Sequence, residues 1–402
     1  MLGLLRKSTA VTLEGLAGLV GWMGWRSATG MDVSERSAID VSAVFCAARV
    51  IAEGIAQMPV RVVRDEIDRK TGLVRVRVAA DHWAHRLLAV RPNDWMTSFE
   101  FREAMVFNAA LGRGAIAIKN VINGEVRELL PVPPWAWSVE QLPDWSLRIR
   151  VDHADKTHEY FDLRQVFYLR GPSLDGVEGL SAIRAARDAI GLSKALEHQQ
   201  AKLAANGGKP SGILSFKDRL GPETREKLRK DWRSTYGQGG DGGIAVLDGE
   251  ASFSSITMTS VDAQHLETRR LQVEEIARAF RVLPIMLMQS DKAATYSSAE
   301  QMFRMHVIHT LGPWIERFEQ AAARDILGQD QKATDLRVDL DERNLLRGDF
   351  AAQGDYYAKA LGAGGTPAWM TQDEIRAEVG LDPLGGDAGR LSQGAMKPEG
   401  SA

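Results

Sequence analysis

The sequence predicts an α+β protein, and three features of its 402 residues support this class. Stretches with apolar residues at helical spacing occur beside shorter stretches in which apolar and polar residues alternate, as they do in half-buried strands. Two strong helical patterns, over 181–206 and from about residue 262, enclose a small strand-helix-strand insert. The second pattern then leads into a polar loop. This order of elements indicates a structural component more than a catalyst.

Capping and stop signals bound the long helical patterns. An Asn-Gly pair is typical of the end of the first helix, and a capping-box spelling over 259–262 starts the second. Pro284 is predicted to end the second helix because proline lacks a backbone donor. After the polar segment 289–298, a capping box that begins at Ser297 starts a third helix. The residues predicted to share an apolar face are Ile183, Ile190, Leu196 and Leu203 in the first helix, Leu266, Val273, Ile276, Ala277 and Phe280 in the second, and Met302, Met305, Ile308 and Leu311 in the third.

The region before the first long helix is predicted to be a mixed domain. Helical spacing predicts helices over 40–57 and 98–111. Alternation of apolar and polar residues predicts strands over 60–63, 73–78, 114–118, 126–130, 147–151 and 166–169. We expect packing, and no ligand stacking, from the three tryptophans of its turn-rich middle, Trp135, Trp137 and Trp145.

The insert between the long helices is predicted to be a small unit of strands around one helix. The helix begins at Pro222, and the predicted strands cover 212–216, 244–247 and 251–258, the last two joined by an Asp-Gly turn. A unit of this size buries little area, so we expect it to need neighbours. Its helix mixes Arg225, Arg229 and Arg233 with acidic residues, which favours a solvated face and leaves a partner-binding patch as the alternative.

Composition narrows the function classes. The chain has one cysteine, a formal net charge of −3 and 44% hydrophobic residues, as in an ordinary globular protein without internal disulfides. Proteins that hold DNA by bulk electrostatics are usually strongly basic, so this charge argues against tight DNA binding, although not against DNA that slides past. No run reaches the roughly 18 apolar residues of a membrane helix, so we expect no membrane partner.

Motifs for catalysis, cofactors or metals are weak. The GxGxxG spelling over 237–242 follows a helix and precedes a strand, which is the reverse of a dinucleotide site. His82 with His85, and His306 with His309, could each share a helical face, but neither pair has a third ligand at useful spacing. Walker-type and GxSxG motifs do not occur. We expect no catalytic residue, no cofactor and no metal.

A series of short motifs runs in order through residues 40–387. They are SAVFC (42–46), RPN (91–93), WMTSFEFR (95–102), GLS (179–181), ANGG (205–208), PSG (210–212), ETR (267–269), VEEIA (273–277), ATYSSAEQ (294–301), LLRGD (345–349) and MTQDE (370–374). Through them the chain resembles the portal proteins of long-tailed, siphovirus-type bacteriophages, a lambdoid-like family with prophage and gene-transfer-agent relatives. One departure is Ala115, where the family often has Asn after the glycine.

The resemblance implies a portal fold with a mixed wing domain, long stem helices, a small αβ clip, a tunnel loop and a short helical crown. The implied boundaries are a flexible N-terminal arm at 1–32, the wing at 33–180, stem helices at 181–207 and 260–283 around the clip at 208–259, the tunnel loop at 284–298, a wing helix and strand at 299–340, the crown at 341–387 and a disordered tail at 388–402.

The resemblance also implies a function. Such a subunit forms a ring, usually of twelve copies, at one capsid vertex of the virion after assembly in the host bacterial cytoplasm, and double-stranded DNA passes through it without sequence preference. Expected partners are the large terminase, which would hydrolyse ATP, the head-tail adaptor and the major capsid protein. The tunnel-loop residues expected to face DNA are Gln289, Ser290, Lys292 and Thr295, with a mere connector as the alternative. The clip residues expected to face terminase or adaptor are Arg225, Arg229 and Arg233.

Two other classes stay open at this point. A non-portal DNA-binding or scaffold protein need not form a closed ring, so sedimentation would distinguish it. An uncharacterised enzyme would need a cleft with convergent chemical groups, which the sequence does not display.

Overall fold

The computed structural model describes most of the chain and divides it into two compact units, the first ending at Leu340 and the second beginning at Asp341. The described residues are 26–67, 74–205, 212–215, 221–236, 252–255, 261–289, 296–329, 335–342, 345, 350–365, 367–379 and 381–391. Several predicted features lie outside them. These are most of the N-terminal arm, the glycine-rich segment 237–242, the strand over 244–247 and its Asp-Gly turn, and the tail after residue 391.

Nine helices of at least seven residues are described, numbered α1 to α9. They are α1 Ser42–Ala56, α2 Ser98–Leu111, α3 Arg187–Ala205, α4 Pro222–Tyr236, α5 Val261–Phe280, α6 Tyr296–Met305, α7 Gly312–Asp325, α8 Phe350–Ala360 and α9 Gln372–Glu378. Shorter helical segments are Glu35–Ala38, Trp83–His85, Arg86–Val90, Leu163–Gln165, Ala182–Ala185, Pro284–Leu287, His306–Leu311, Leu327–Gln329, Ala363–Gly365 and Gly386–Gly389.

The described strands form four antiparallel sheets. They are β1 Val60–Ile67, β2 Val74–Val78, β3 Ala115–Ile122, β4 Glu125–Val132, β5 Trp137–Gln141, β6 Leu147–Asp152, β7 His158–Asp162, β8 Val166–Leu169, β9 Gly212–Ser215, β10 Ser252–Ser255 and β11 Leu336–Leu340. The sheet orders are β11-β1-β2, β4-β3-β8, β5-β6-β7 and β10-β9. β11 therefore returns the chain to β1, with Val60 opposite Leu340.

The core of the first unit lies on both faces of the sheet β4-β3-β8. On one face, Phe167 stacks edge-on against Phe318 of α7 with ring centroids 5.7 Å apart, and Phe101 of α2 lies 6.2 Å from Phe167. On the other face, Ile116 and Trp137 belong to a buried cluster shared with the sheet β5-β6-β7. Alternation along β3 and β8 thus places one set of side chains against helices and the other against a second sheet.

The elements of this unit agree with the sequence where local signals are strong. α2 and β8 have the predicted bounds, and the helix predicted over 40–57 is α1. β5 and β7 were not predicted, and β7 shows no alternation of burial, since four of its five residues are exposed. The expected packing of three tryptophans is correct only for Trp137, which is buried, whereas Trp135 and Trp145 are 78% and 81% exposed. Trp145 has a left-handed φ of 69° in the turn between β5 and β6, away from the core.

The long helices begin and end differently from their prediction. The helix predicted over 181–206 is two segments, because Ala186 leaves helical geometry with φ −94° and ψ 12°. α5 ends at Phe280, four residues before Pro284, where Arg281 takes a left-handed φ of 56°. Pro284 instead starts a short 3-10 turn. No helix in the described ranges is long and apolar enough to cross a membrane.

The second unit contains α8 and α9. Thr371 and Glu374 form a capping box at the start of α9, since the Thr371 N–H donates to Glu374 Oε2 at 2.8 Å and the Glu374 N–H donates to Thr371 Oγ1 at 3.1 Å. The backbone N–H groups of Trp369 and Met370 both donate to the carbonyl of Ala360, which closes the connection after α8.

Candidate functional site

The start of the predicted tunnel loop is attached to α5. Met288 adopts a left-handed φ of 59° and its side chain is 91% exposed. The Gln289 side-chain amide donates to the carbonyl of Arg270 at 3.4 Å and to Glu274 Oε1 at 3.3 Å. Of the four residues predicted to face DNA, Gln289 is therefore held against a helix. The other three, Ser290, Lys292 and Thr295, lie outside the described residues.

The helix after the loop begins at Tyr296, so Ser297, predicted to cap it, lies inside the helix, which continues without a break to Asp325. A π-helical turn, His306–Leu311, interrupts its α-helical geometry, and the Gly312 N–H donates to the carbonyl of Val307. Pro313, just beyond, has no backbone donor, so a local change of hydrogen-bond register is expected there.

The π turn changes which side chains face the core. Leu311 is buried as predicted, but Met305 and Ile308 are exposed, contrary to the predicted apolar stripe. The wider π turn moves residues off the face that α-helical spacing assigns to them. Leu311 packs beneath Gly54, where a Cβ would lie 2.7 Å from Leu311 Cδ2. Thr310 Oγ1 donates to the carbonyl of Arg281 at 2.7 Å, so the π turn also binds the end of α5.

The histidines singled out in the sequence have structural surroundings. His82 Nδ1 accepts from the Ala84 N–H at 3.2 Å, and His85 Nδ1 accepts from the Val62 N–H at 3.3 Å. Burial in the π turn lowers the pKa of His306 to about 4, so its imidazole is neutral at pH 7, whereas His309 is exposed. Within the described ranges, no group of three His, Cys, Asp or Glu residues could hold a metal ion.

The helix of the insert is exposed where its side chains are described. Arg225 is exposed, as are its neighbours from Pro222 to Lys227. Arg225, Arg229 and Arg233 are four residues apart on α4, so they lie on one helical face. The structure thus brings these three positions together on one side of α4.

Other motif residues of the sequence stabilise the fold. Asn93 is buried, donates to the carbonyl of Leu129 at 2.8 Å, and accepts from the backbone N–H groups of Trp95 and Met96. Arg102 is also buried and donates to the carbonyls of Ser98 and Met58. Each satisfies buried backbone groups that would otherwise cost free energy.

Large apolar side chains are exposed at the start of the predicted tunnel loop and on the elements that precede and follow it. They are Leu271 on α5, Met288, Phe303 and Met305 on α6, and Ile308 in the π turn. Several large apolar side chains that are exposed near one segment commonly contact another molecule. Sequence reasoning missed Phe303 and placed Met305 and Ile308 in the core, because it continued regular helical spacing through the π turn.

The fold and these segments define a structural subunit in which a packed body carries long helices and an exposed insert. The family model described as "Phage portal protein" matches residues 42–380, and the chain belongs to that family. The portal protein of Enterobacteria phage HK97 is 30% identical over 360 residues, covering 88% of this chain and 82% of the phage protein. The probable portal protein of Streptomyces phage phiC31 is 27% identical over 372 residues, covering 89% and 78%.

A solved structure has the same fold. A chain in the neck of a native gene transfer agent particle, computed with C12 symmetry, has a TM-score of 0.59 and 22% identity, with 87% of this chain and 92% of that chain covered. The resemblance, the α+β portal fold and the portal function predicted from the sequence are therefore confirmed. The two alternatives, a non-portal DNA-binding or scaffold protein and an uncharacterised enzyme, are not favoured.

Proposed function

We propose that this portal subunit assembles into a closed ring of twelve copies at one capsid vertex and that double-stranded DNA passes through the ring during packaging and ejection. The exposed apolar residues around the predicted tunnel loop carry this proposal, because a neighbouring copy in a ring would cover them. The C12 symmetry of the gene transfer agent neck, which contains a chain of this fold, supports the copy number. The subunit would assemble in the bacterial cytoplasm and contact the major capsid protein.

Within the ring, we propose a passive role. The chain has a formal net charge of −3, which suits a conduit that DNA must leave as easily as it enters. Hydrolysis of ATP would belong to the terminase, and the portal would carry no catalytic residue and need no cofactor.

Ring formation is tested on the purified full-length protein by electron microscopy and mass photometry. We expect closed rings with a central channel and a mass near twelve subunits. A strictly monomeric species across a wide range of protein and salt concentrations, with no rings in capsids, would count against the proposal.

We propose that the tunnel loop contacts DNA through Ser290, Lys292 and Thr295. Gln289 is held by α5, so it is better placed to anchor the loop than to reach the duplex. Short polar side chains with one cation suit weak, sequence-independent phosphate contacts. We further propose that Arg225, Arg229 and Arg233 on α4 face the terminase and later the head-tail adaptor.

The loop is tested by replacing residues 290–295 with a Gly-Ser linker while Gln289 is retained. We expect intact rings with reduced DNA content per particle. Gln289→Ala is the control, since it loosens the anchor without removing the proposed contacts. Normal genome content and infectivity in the linker variant would show that the loop only connects two helices.

A further inference from the structure

A cavity of about 940 Å³ opens in the first unit where β3, β6 and β8 meet the end of α7. Its lining is strongly cationic. The charged residues in its wall are Lys119, Arg164, Arg170, Arg324 and a single carboxylate, Asp325. This site is separate from the tunnel loop and from the insert, and no part of the proposed conduit function uses it.

Two of these residues, Arg324 and Asp325, form hydrogen bonds with the outer edge of β8. The Tyr168 N–H donates to Asp325 Oδ2 at 2.9 Å, and Arg324 Nη2 donates to the carbonyl of Tyr168 at 2.9 Å. Arg324 Nε also donates to Asp325 Oδ1 at 2.6 Å. The pair, which we call the edge clamp (Arg324 and Asp325), satisfies the outer backbone groups of β8 and neutralises its own charge.

Lys119 is the deepest remaining cation. It is 6% exposed, and its Nζ donates to the backbone carbonyl of Asp325 at 2.5 Å, its one hydrogen-bond partner in the described structure. An ammonium group has three donors, so two are left over in a polar cavity. Burial lowers the pKa of Lys119 to about 8, assisted by Arg324 and opposed by Asp325, so the group is still mostly charged at pH 7.

Arg170 provides a second cation from another element. Its guanidinium lies over the Tyr168 ring, 5.2 Å from the centroid, and it forms no ion pair with a described residue. Arg164, on the turn before β8, adds a third positive charge to the wall. Three cations from separate parts of the chain therefore surround a space whose one carboxylate is already paired.

We propose that this cavity binds a phosphate-type oxyanion held by Lys119, Arg164 and Arg170. A carboxylate offers two oxygens, whereas phosphate offers up to four, which matches several cations that approach from different sides. Arginine is suited to bidentate contact with phosphate, and a buried lysine gives a strong point charge. The phosphate could be free or could terminate a nucleic acid strand, and the recess favours an end group over the side of a duplex.

The test is titration calorimetry of the full-length protein with inorganic phosphate, with chloride and acetate at matched ionic strength, and with a short duplex with or without 5′-phosphates. We expect phosphate binding to weaken by about tenfold or more in Lys119→Met and in Arg170→Gln, because each removes a charge-assisted hydrogen bond. Arg150→Gln is the matched control, since Arg150 pairs with Asp152 on β6 outside the cavity.

A second variant keeps the test decisive if the first one does not fold. If Lys119→Met unfolds because the contact with Asp325 is lost, Arg170→Gln removes no backbone hydrogen bond and still reports on the site. Binding of inorganic phosphate that Arg170→Gln weakens supports a free ligand. Binding only of the 5′-phosphorylated duplex, again weakened by Arg170→Gln, supports a strand end. Equal responses to chloride, acetate and phosphate, or equal binding by Arg170→Gln and Arg150→Gln, would overturn the proposal.

Discussion

The body of the chain and its insert segment bury very different amounts of side chain. The body is the set of three sheets β11-β1-β2, β4-β3-β8 and β5-β6-β7 with α1, α2 and α7, and its centre holds fully buried residues such as Phe167 and Phe318. The insert segment is residues 197–271, and none of its described side chains is buried. The body can therefore be stable as one chain, whereas the described part of the insert segment has no buried side chain, so we expect that part to gain burial from other molecules.

Along the two long helices, α3 and α5, side chains change from buried to exposed with distance from the body. α3 buries Ile190, and α5 buries Ile276 and Phe280, all near the ends that adjoin the body. Further out, α3 and α5 are joined by exposed polar contacts, such as Arg269 Nη2 with Glu197 Oε1 at 3.5 Å. Exposed ion pairs stabilise proteins by about 1 kcal/mol or less, so they cannot replace a core.

The largest effect is expected from the body core. Phe318→Ala should lower the free energy of unfolding by about 3–5 kcal/mol, because it leaves a cavity beside Phe167. The matched variant Phe303→Ala, at a side chain 53% exposed, should lower it by less than about 1 kcal/mol while weakening the ring. Urea unfolding of dispersed subunits and mass photometry measure the two quantities. Similar losses of subunit stability in both variants would contradict the distinction between a buried core residue and an exposed contact residue.

A smaller effect is expected at the edge of the body. Asp325→Ala should lower the free energy of unfolding by about 1–3 kcal/mol, because the buried N–H of Tyr168 loses its acceptor. Asp152→Ala, at an exposed ion pair with Arg150, should cost less than about 1 kcal/mol. Thermal unfolding compares the two, and equal costs would show that the edge clamp adds nothing to the body.

The pH dependence of stability should reveal one buried group, His306, and one half-buried group, Glu319, with opposite effects. The pKa of His306 is lowered by burial to about 4, so stability is lost as pH falls from about 6.5 to 4, when only the unfolded chain takes up the proton. Burial raises the pKa of Glu319 to about 7, so stability is lost as pH rises from about 4.5 to 7. His306→Leu should therefore reduce the loss of unfolding free energy from pH 7 to pH 5 by roughly 1–2 kcal/mol. Glu319→Gln should reduce the loss from pH 5 to pH 7 by a similar amount. Urea unfolding at pH 5 and pH 7 measures both. Parallel pH profiles for the wild type and both variants would refute this assignment.

The smallest change in stability is expected from α4. Reversing charge at Arg225, Arg229 and Arg233 should alter subunit stability by only ~0.5 kcal/mol per site, because solvent-facing substitutions rarely do more. It should nevertheless weaken capture of the terminase in a pull-down. The control reverses Lys227, which is exposed on the opposite side of the same helix. Equal capture by both variants would show that the arginine face of α4 does not contact the terminase.

Local signals made much of the fold predictable. α2 has a capping box of Thr97 and Glu100 at its start, and its bounds follow from sequence alone. The early end of α5 does not, because Arg281 takes a left-handed conformation that a residue type with a Cβ rarely adopts. The π turn is also hidden, since it depends on packing of Leu311 against Gly54 and on Pro313.

The candidate sites divide in the same way. The arginine face of α4 follows from helical spacing, so the sequence could name its residues. The cationic cavity could not be foreseen, because Lys119 and Asp325 are 206 positions apart and meet only through the tertiary fold. Gln289 was assigned to DNA through the resemblance to portal proteins, and only the structure reveals its hydrogen bonds to α5.

Hydrogen exchange on one preparation, measured as dispersed subunits and as assembled rings, tests the central claim most directly. Peptides from α1, α2 and α7 should be equally protected in both states, because the body is complete in one chain. Peptides from the outer parts of α3 and α5 and from α4 should gain protection only in the ring. Protection of those peptides that is already complete in the dispersed subunit, or unchanged on assembly, would contradict the account.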